Sequence, residues 1–108
     1  MEKMDITRAF VYAWGAKDVD AIVEFFTEDA VYTNIPMDPP NHGKAEIRTF
    51  IEGVIGMAEE VEFVIHNQAE DANGVVMNER TDRFLINGSW VELAVMGIFE
   101  FSDGKISA

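Results

Sequence analysis

Two short runs, Tyr32-Thr33-Asn34 and Arg80-Thr81-Asp82, each carry two polar groups separated by one residue. On a β-strand, residues i and i+2 project from the same face, so Tyr32 would stand beside Asn34 and Arg80 beside Asp82. Together the four groups supply donors, acceptors and one tunable acid, enough to hold and activate a water molecule. The plainer reading makes Arg80 and Asp82 a structural ion pair, and has Tyr32 and Asn34 satisfy buried backbone groups. Against that reading, the pair sits mid-strand on an apolar face rather than at an edge, where charged groups are costly unless they serve one another or a reaction. Burial raises a carboxyl pKa and an adjacent guanidinium lowers it, and that balance decides whether Asp82 donates a proton.

The elements that must position these groups follow from local patterning. Ile6, Phe10, Ala13 and Trp14 recur at helical spacing between Asp5 and Ala16, with Asp5 as the expected N-cap. Lys17-Asp18 breaks that helix, and Asp18 caps a second one running through Phe26. Ala30 to Ile35 reads as a strand. Pro36 to Gly43, with three prolines and a glycine, is expected to be an irregular loop with Met37 at the mouth of the site. A third helix is expected from Lys44 to Gly56, with Ile47, Phe50, Ile51 and Val54 on one side. Strands follow: Val61 to His66, then, after an Asn73-Gly74 turn, Val75 to Ile86. Asn87-Gly88 is a two-residue hairpin signal, and Ser89 to Phe101 returns antiparallel. Asp103-Gly104 marks a further hairpin turn. Helices first and a curled antiparallel sheet afterwards give a single α+β domain.

The Asn87-Gly88 turn predicts a register: Arg80 opposite Val95, Asp82 opposite Leu93, Phe84 opposite Val91. One face then carries Val76, Asn78, Arg80, Asp82 and Phe84 with Val91, Leu93, Val95, Gly97 and Phe99. The other carries Val75, Met77, Leu85, Trp90, Ala94, Met96 and Ile98. Both faces are too apolar to stand bare, so one is expected to cover the helices and the other to meet a second subunit in a homodimer.

Bulk properties narrow the function classes. A chain of 108 residues, 48% hydrophobic, is sized for one folded domain. No apolar run approaches the roughly 20 residues that cross a bilayer and no signal-peptide pattern opens the chain, so a cytoplasmic protein without a membrane partner is expected. The absence of cysteine excludes disulfides, thiolate metal sites and cysteine nucleophiles. A formal net charge of −12 without a basic stripe argues against nucleic-acid binding. His42 and His66 are too far apart in sequence to signal a metal site.

The chain resembles the limonene-1,2-epoxide hydrolases. They belong to the cone-shaped nuclear transport factor 2-like (SnoaL-like) α+β group, which includes ketosteroid isomerases and polyketide cyclases. The likeness runs over essentially the whole chain. It is densest in Phe26-x-Glu28-Asp29-x-x-Tyr32-x-Asn34-x-Pro36, in Glu79-Arg80-x-Asp82, and in Gly97-x-Phe99 with Gly104-Lys105-Ile106. The catalytic tyrosine and two aspartates of ketosteroid isomerases fall here on Phe10, Asn34 and Gly97, which argues against steroid proton abstraction.

The resemblance implies hydrolysis of a small apolar epoxide to a vicinal diol in one step, without metal or other cofactor. It would make Asp82 the general acid, Arg80 the bridge between two carboxylates, and Tyr32 and Asn34 the cradle of the attacking water. It further implies that Val11, Trp14, Val54, Phe84, Leu93 and Val95 line a pocket for a small hydrophobic substrate, although several of these read equally well as plain core. The family's general base is an Asp in a Trp-Arg-Asp stretch directly after Gly-Lys-Ile. Here Gly104-Lys105-Ile106-Ser107-Ala108 does not include it, and the expectation is a sequence cut short of its final strand. Two other readings stand beside hydrolysis: isomerase or cyclase chemistry through Asp82, and a non-catalytic ligand-binding module.

Overall fold

The computed structural model describes residues 1–108 apart from Pro36 and the side chain of Asp38. Pro36, which closes the first motif and opens the proline-rich segment, therefore lies outside the described residues.

Helix α1 spans Lys3–Ala13, continues as a 3-10 turn over Trp14–Ala16, and stops at Lys17, whose φ of 57° is left-handed. It starts two residues before the sequence suggests. Asp5 is not the N-cap; it sits inside the first turn, where an acid still favours the helix N-terminus and meets Arg8 at 3.3 Å. Helix α2, Val19–Glu24, is shorter than expected but begins as its sequence indicates, with Asp18 accepting from the Ala21 amide at 3.2 Å. Helix α3 is Gly43–Gly56, opened by Glu46 accepting the His42 amide at 2.9 Å.

The strands fall into three sheets. β1 (Val31–Asn34) pairs with β2 (Met37–His42), β3 (Glu60–Glu70) with β4 (Val76–Ile86) and β4 with β5 (Ser89–Phe99), and β6 (Phe101–Ser102) with β7 (Lys105–Ile106). All of these pairings are antiparallel, and Phe26 adds an isolated parallel bridge to Ile106. Two corrections to the sequence reading stand out. The segment from Met37 is a strand, not an irregular loop. Its prolines fall in the gap between the Asn34–Met37 and Tyr32–Asn41 pairs, where the register slips and no ladder amide is needed. The strand from Ser89 ends at Phe99 because the Glu100 amide and carbonyl turn to Ala108 and Ser107.

The hairpin register is as predicted, with Arg80 opposite Val95, Asp82 opposite Leu93 and Phe84 opposite Val91. Asn87-Gly88 and Asp103-Gly104 both turn with positive φ at each central residue, the type I′ geometry whose twist suits flanking strands.

The core lies between the helices and the inner face of β3–β4–β5. Phe10 is its hub, edge-on to Trp14, Phe25, Phe26 and Phe99 at centroid distances of 5.3–6.3 Å, and Trp14 stacks on Phe63 at 5.2 Å. Among the described residues no helix is long and apolar enough to cross a membrane.

Candidate active site

Strand alternation sends Asn78, Arg80, Asp82 and Phe84 of β4 toward the helices. From β3, Val61, Phe63 and Ile65 point the same way, because they pair with Phe84, Asp82 and Arg80. Arg80 and Asp82 thus meet inside the molecule, with only 11% and 9% of their side chains exposed. The guanidinium grips the carboxylate through two parallel bonds, Nε to Oδ1 at 2.7 Å and Nη2 to Oδ2 at 3.2 Å. This fork is the strong, directional form of the pair. The Arg80 guanidinium also lies over the Phe63 ring, 5.5 Å from its centroid.

Burial dominates the acidity of Asp82. Removal from water pushes its pKa above the usual carboxylate value, and the hydrogen bonds and charge of Arg80 pull against that rise. Asp82 therefore holds a proton more readily than an exposed carboxyl would, while bonded to a cation that stabilises the anion left when the proton departs. Tyr32 feels the same surroundings. Its ring packs between Phe26 and Phe50, at 5.8 and 5.4 Å, and burial pushes its hydroxyl up to about 12. The charges of Arg80 and Asp82 both act on that hydroxyl, the first lowering and the second raising its pKa. A tyrosine held this high stays a donor throughout the neutral range.

Asn34 is placed differently. It is exposed at the end of β1, where its amide approaches the Met37 sulfur at 3.6 Å, and among the described residues no hydrogen bond joins it to Arg80 or Asp82. Alternation puts Asn34 on the Tyr32 side, but the register slip between these residues carries it outward. Of the six lining positions, Val11 and Trp14 are sealed in the core, 1% and 3% exposed. Val54, Phe84 and Val95 are half-buried. Leu93, directly across from Asp82, is 50% exposed, so the wall around the carboxylate opens toward β5. Two shallow depressions elsewhere, one over Asn41, Ala45, Glu46, Thr49 and Phe50 and one over Ala21, Glu24 and Phe25, do not include the pair.

His42 and His66 are exposed, and His66 shares a 2.7 Å hydrogen bond with Thr81 on the outer face of the sheet. Among the described residues no cluster of His, Asp and Glu could hold a metal ion.

Sequence reasoning passed over the other side of the guanidinium. Arg80 Nη1 donates to Asn78 Oδ1 at 3.1 Å, and Asn78 is 2% exposed. Gly97 faces Asn78 across the β4–β5 ladder. A Cβ there would stand 2.5 Å from Arg80 Nη1 and 2.8 Å from both Asn78 Oδ1 and Phe99 Cε2. The signal was present in the hairpin register, which sets Asn78 opposite a glycine two residues from the arginine.

With this geometry in view, the relatives are informative. The SnoaL-like domain pattern matches residues 7–108. The epoxide hydrolase EphG of Mycobacterium tuberculosis is 31% identical over 101 residues, covering 92% of this chain; the chain spans 64% of that relative's length. The structure of an M. tuberculosis limonene-epoxide-hydrolase-like epoxide hydrolase superposes with a TM-score of 0.82 at 29% identity, over 97% of this chain and 77% of the other. SalBIII, an epoxide hydrolase/cyclase-like enzyme in pyran ring formation in the polyether salinomycin, superposes at 0.88 with 22% identity, over 97% and 84%, a likeness of fold. The α+β architecture, the matched span and these superpositions agree: the chain belongs to the SnoaL-like domain family and has the nuclear transport factor 2-like fold.

Proposed function

We propose that this chain carries the acid side of an epoxide hydrolase site that opens a small apolar epoxide to a vicinal diol. The observation that carries the reading is Asp82, a buried carboxyl with raised proton affinity, gripped by Arg80 on an otherwise apolar wall. The two relatives named as epoxide hydrolases support the same reaction class.

An epoxide is strained but a poor electrophile, so ring opening gains from protonation of the departing oxygen. Asp82 delivers its proton to that oxygen as the C–O bond breaks. Water attacks the carbon and gives its surplus proton to a base that residues 1–108 do not supply; the resemblance assigns that role to an Asp following the Gly104-Lys105-Ile106 stretch. Asp82 is left as the anion, and the Arg80 fork stabilises it until the proton returns. Each such transfer contributes about 10²–10⁴ in rate. The Tyr32 hydroxyl, kept neutral by burial, directs the water or the ring oxygen by hydrogen bonding. Asn34 acts in the cradle only if it turns inward from its exposed position. Val54, Phe84, Leu93 and Val95 accommodate the apolar body of the substrate.

The partner protein in this reading is a second copy of the chain, docked on the outer face of β4 and β5, where Trp90, Met96 and Ile98 are exposed.

The test is turnover of an epoxide panel in oxygen-18 water. A labelled diol is expected, with activity present below the Asp82 pKa and lost as the pH rises through it, because only the protonated acid can donate. Asp82→Asn is expected to lower kcat by roughly 10²–10⁴ and to abolish that limb of the profile. A cyclic ether in place of a diol would assign cyclase chemistry to the site. Binding of epoxides without turnover would assign a carrier role.

A further inference from the structure

The Arg80–Asp82 pair is the near end of a longer, partly buried polar chain between β3, β4 and α1. Arg80 Nη1 donates to Asn78 Oδ1 at 3.1 Å, Asn78 Nδ2 to Gln68 Oε1 at 3.2 Å, and Gln68 Nε2 to the Met4 backbone carbonyl at 3.0 Å. The direction of every bond is forced by chemistry. Arginine can only donate, so Asn78 must present its oxygen to it, which turns its NH₂ toward Gln68. Gln68 must then present its own oxygen to Asn78, and its NH₂ is left for Met4, whose carbonyl can only accept. Neither amide can flip without setting donor against donor at one end and acceptor against acceptor at the other.

A local irregularity of β3 makes the chain possible. The β3–β4 register slips between Ile65 and Asn67, leaving His66 as the extra residue of a bulge. Without the slip, the positions in phase with Ile65 would be the odd-numbered ones. With it, Asn67 bonds Glu79 at 2.6 Å on the outer face, and Gln68 comes inward opposite Asn78. Gly97 completes the arrangement from the other side, since any side chain there would occupy the space of Arg80 Nη1 and Asn78 Oδ1.

We propose that Asn78, anchored by Gln68 to helix α1, is a positioning residue that holds the Arg80 guanidinium in the plane from which it grips Asp82. The proposal rests on the reading of Arg80 and Asp82 as the reacting pair, and it assigns Asn78 no contact with substrate. A guanidinium held only by Asp82 could swing about that fork. Held at Nη1 as well, it has one orientation, and its two remaining N–H bonds point in fixed directions. An in-plane shift of about 1 Å in such a group is enough to lower kcat by about 100-fold.

Two side-chain signals test this independently of turnover: the Arg80 Nε–H resonance and the titration of the Asp82 carboxyl carbon by nuclear magnetic resonance. Arg80 is the charged group that acts on Asp82, and Asp82 in turn raises the Tyr32 hydroxyl. In Asn78→Leu, which keeps bulk but removes the acceptor, the Arg80 Nε–H is expected to lose protection from solvent exchange. The Asp82 titration is expected to move upward as the fork loosens, and kcat to fall by up to roughly 100-fold with KM changed little. Gln68→Leu, which cuts only the anchor, should move all three the same way by less, and it decides the matter if Asn78→Leu does not fold. Folded variants with an unchanged Arg80 signal and an unchanged Asp82 titration would overturn the proposal, whatever their activity. A wild-type protein that hydrolyses no epoxide would overturn the reaction assigned above, while the two resonance signals would still decide the role of Asn78.

Discussion

At the scale of single residues, burial and pairing oppose each other in the proposed site. Asp82 and Tyr32 are both driven toward their neutral forms by removal from water, and Arg80 draws both back toward the anion. Tyr32 offers a clean measurement of this balance, because its hydroxyl is raised from 10.0 to about 12. In the window between those values the unfolded chain ionises Tyr32 and the folded protein does not, so the unfolded state gains stability as the pH rises. Wild-type protein is therefore expected to lose up to about 3 kcal/mol of stability from this group between pH 10 and pH 12. Tyr32→Phe should remove that slope. Urea denaturation of the two proteins at several alkaline pH values checks it, and parallel curves would show that the Tyr32 hydroxyl is not held in its neutral form by the fold.

At the scale of elements, the inner face of β4 and β5 was legible because one turn pinned it. Asn87-Gly88 demands positive φ at two successive residues, and that alone set every cross-strand pair from Ile86–Ser89 to Val76–Phe99. Three features left no such mark. The bulge at His66 shows in nothing about Ile65, His66 or Asn67; it follows from which side chains find partners across the ladder. β2 carries prolines that ordinarily argue against a strand, yet they occupy ladder positions that need no donor. Asn34 shares the spacing of Tyr32 but loses its face to the slip between them. Gly97 joins the legible to the illegible, since its place in β5 was clear and its purpose was not. Gly→Ala in a strand with ordinary φ usually gains about 0.4–1 kcal/mol by restricting the unfolded chain. Here the methyl would fall 2.5–2.8 Å from Arg80, Asn78 and Phe99, two of them held in a hydrogen-bonded chain and the third a core ring. Overpacking of this kind costs about 1–3 kcal/mol, so the clash wins. Gly97→Ala is expected to lower the denaturation midpoint and to reduce epoxide turnover more than any substitution at exposed Ser89, measured side by side.

At the scale of the whole molecule, two opposing forces bear on the proposed homodimer. The outer face of β5 exposes Trp90, Met96 and Ile98, at 41, 71 and 63%. Isolated exposed hydrophobics are ordinary, but these share the face of one strand, where alternation aligns them. Beside them Arg83 is tied down, bonded to Glu62 and to Glu92 and stacked 4.3 Å over the Trp90 ring. That cluster ties Arg83 down in place, and Trp90, Met96 and Ile98 are the surface that the proposed second copy would cover. Against association stands the formal net charge of −12 on each chain, whose mutual repulsion is felt over a Debye length of about 10 Å at 0.1 M salt and farther at lower salt. If the stripe is the contact, association must strengthen as salt screens the repulsion, the reverse of a contact built on exposed ion pairs. Light scattering is therefore expected to give twice the 12.1 kDa chain mass at moderate ionic strength, with more monomer as the salt is lowered. Met96→Lys, which sets a charge between Trp90 and Ile98 on the outer face, should yield monomer at every salt concentration while leaving the inner-face Arg80–Asp82 pair in place. A wild-type protein that stays monomeric at micromolar concentration and moderate salt would leave the stripe without a second copy and remove the sheet face as a dimer contact.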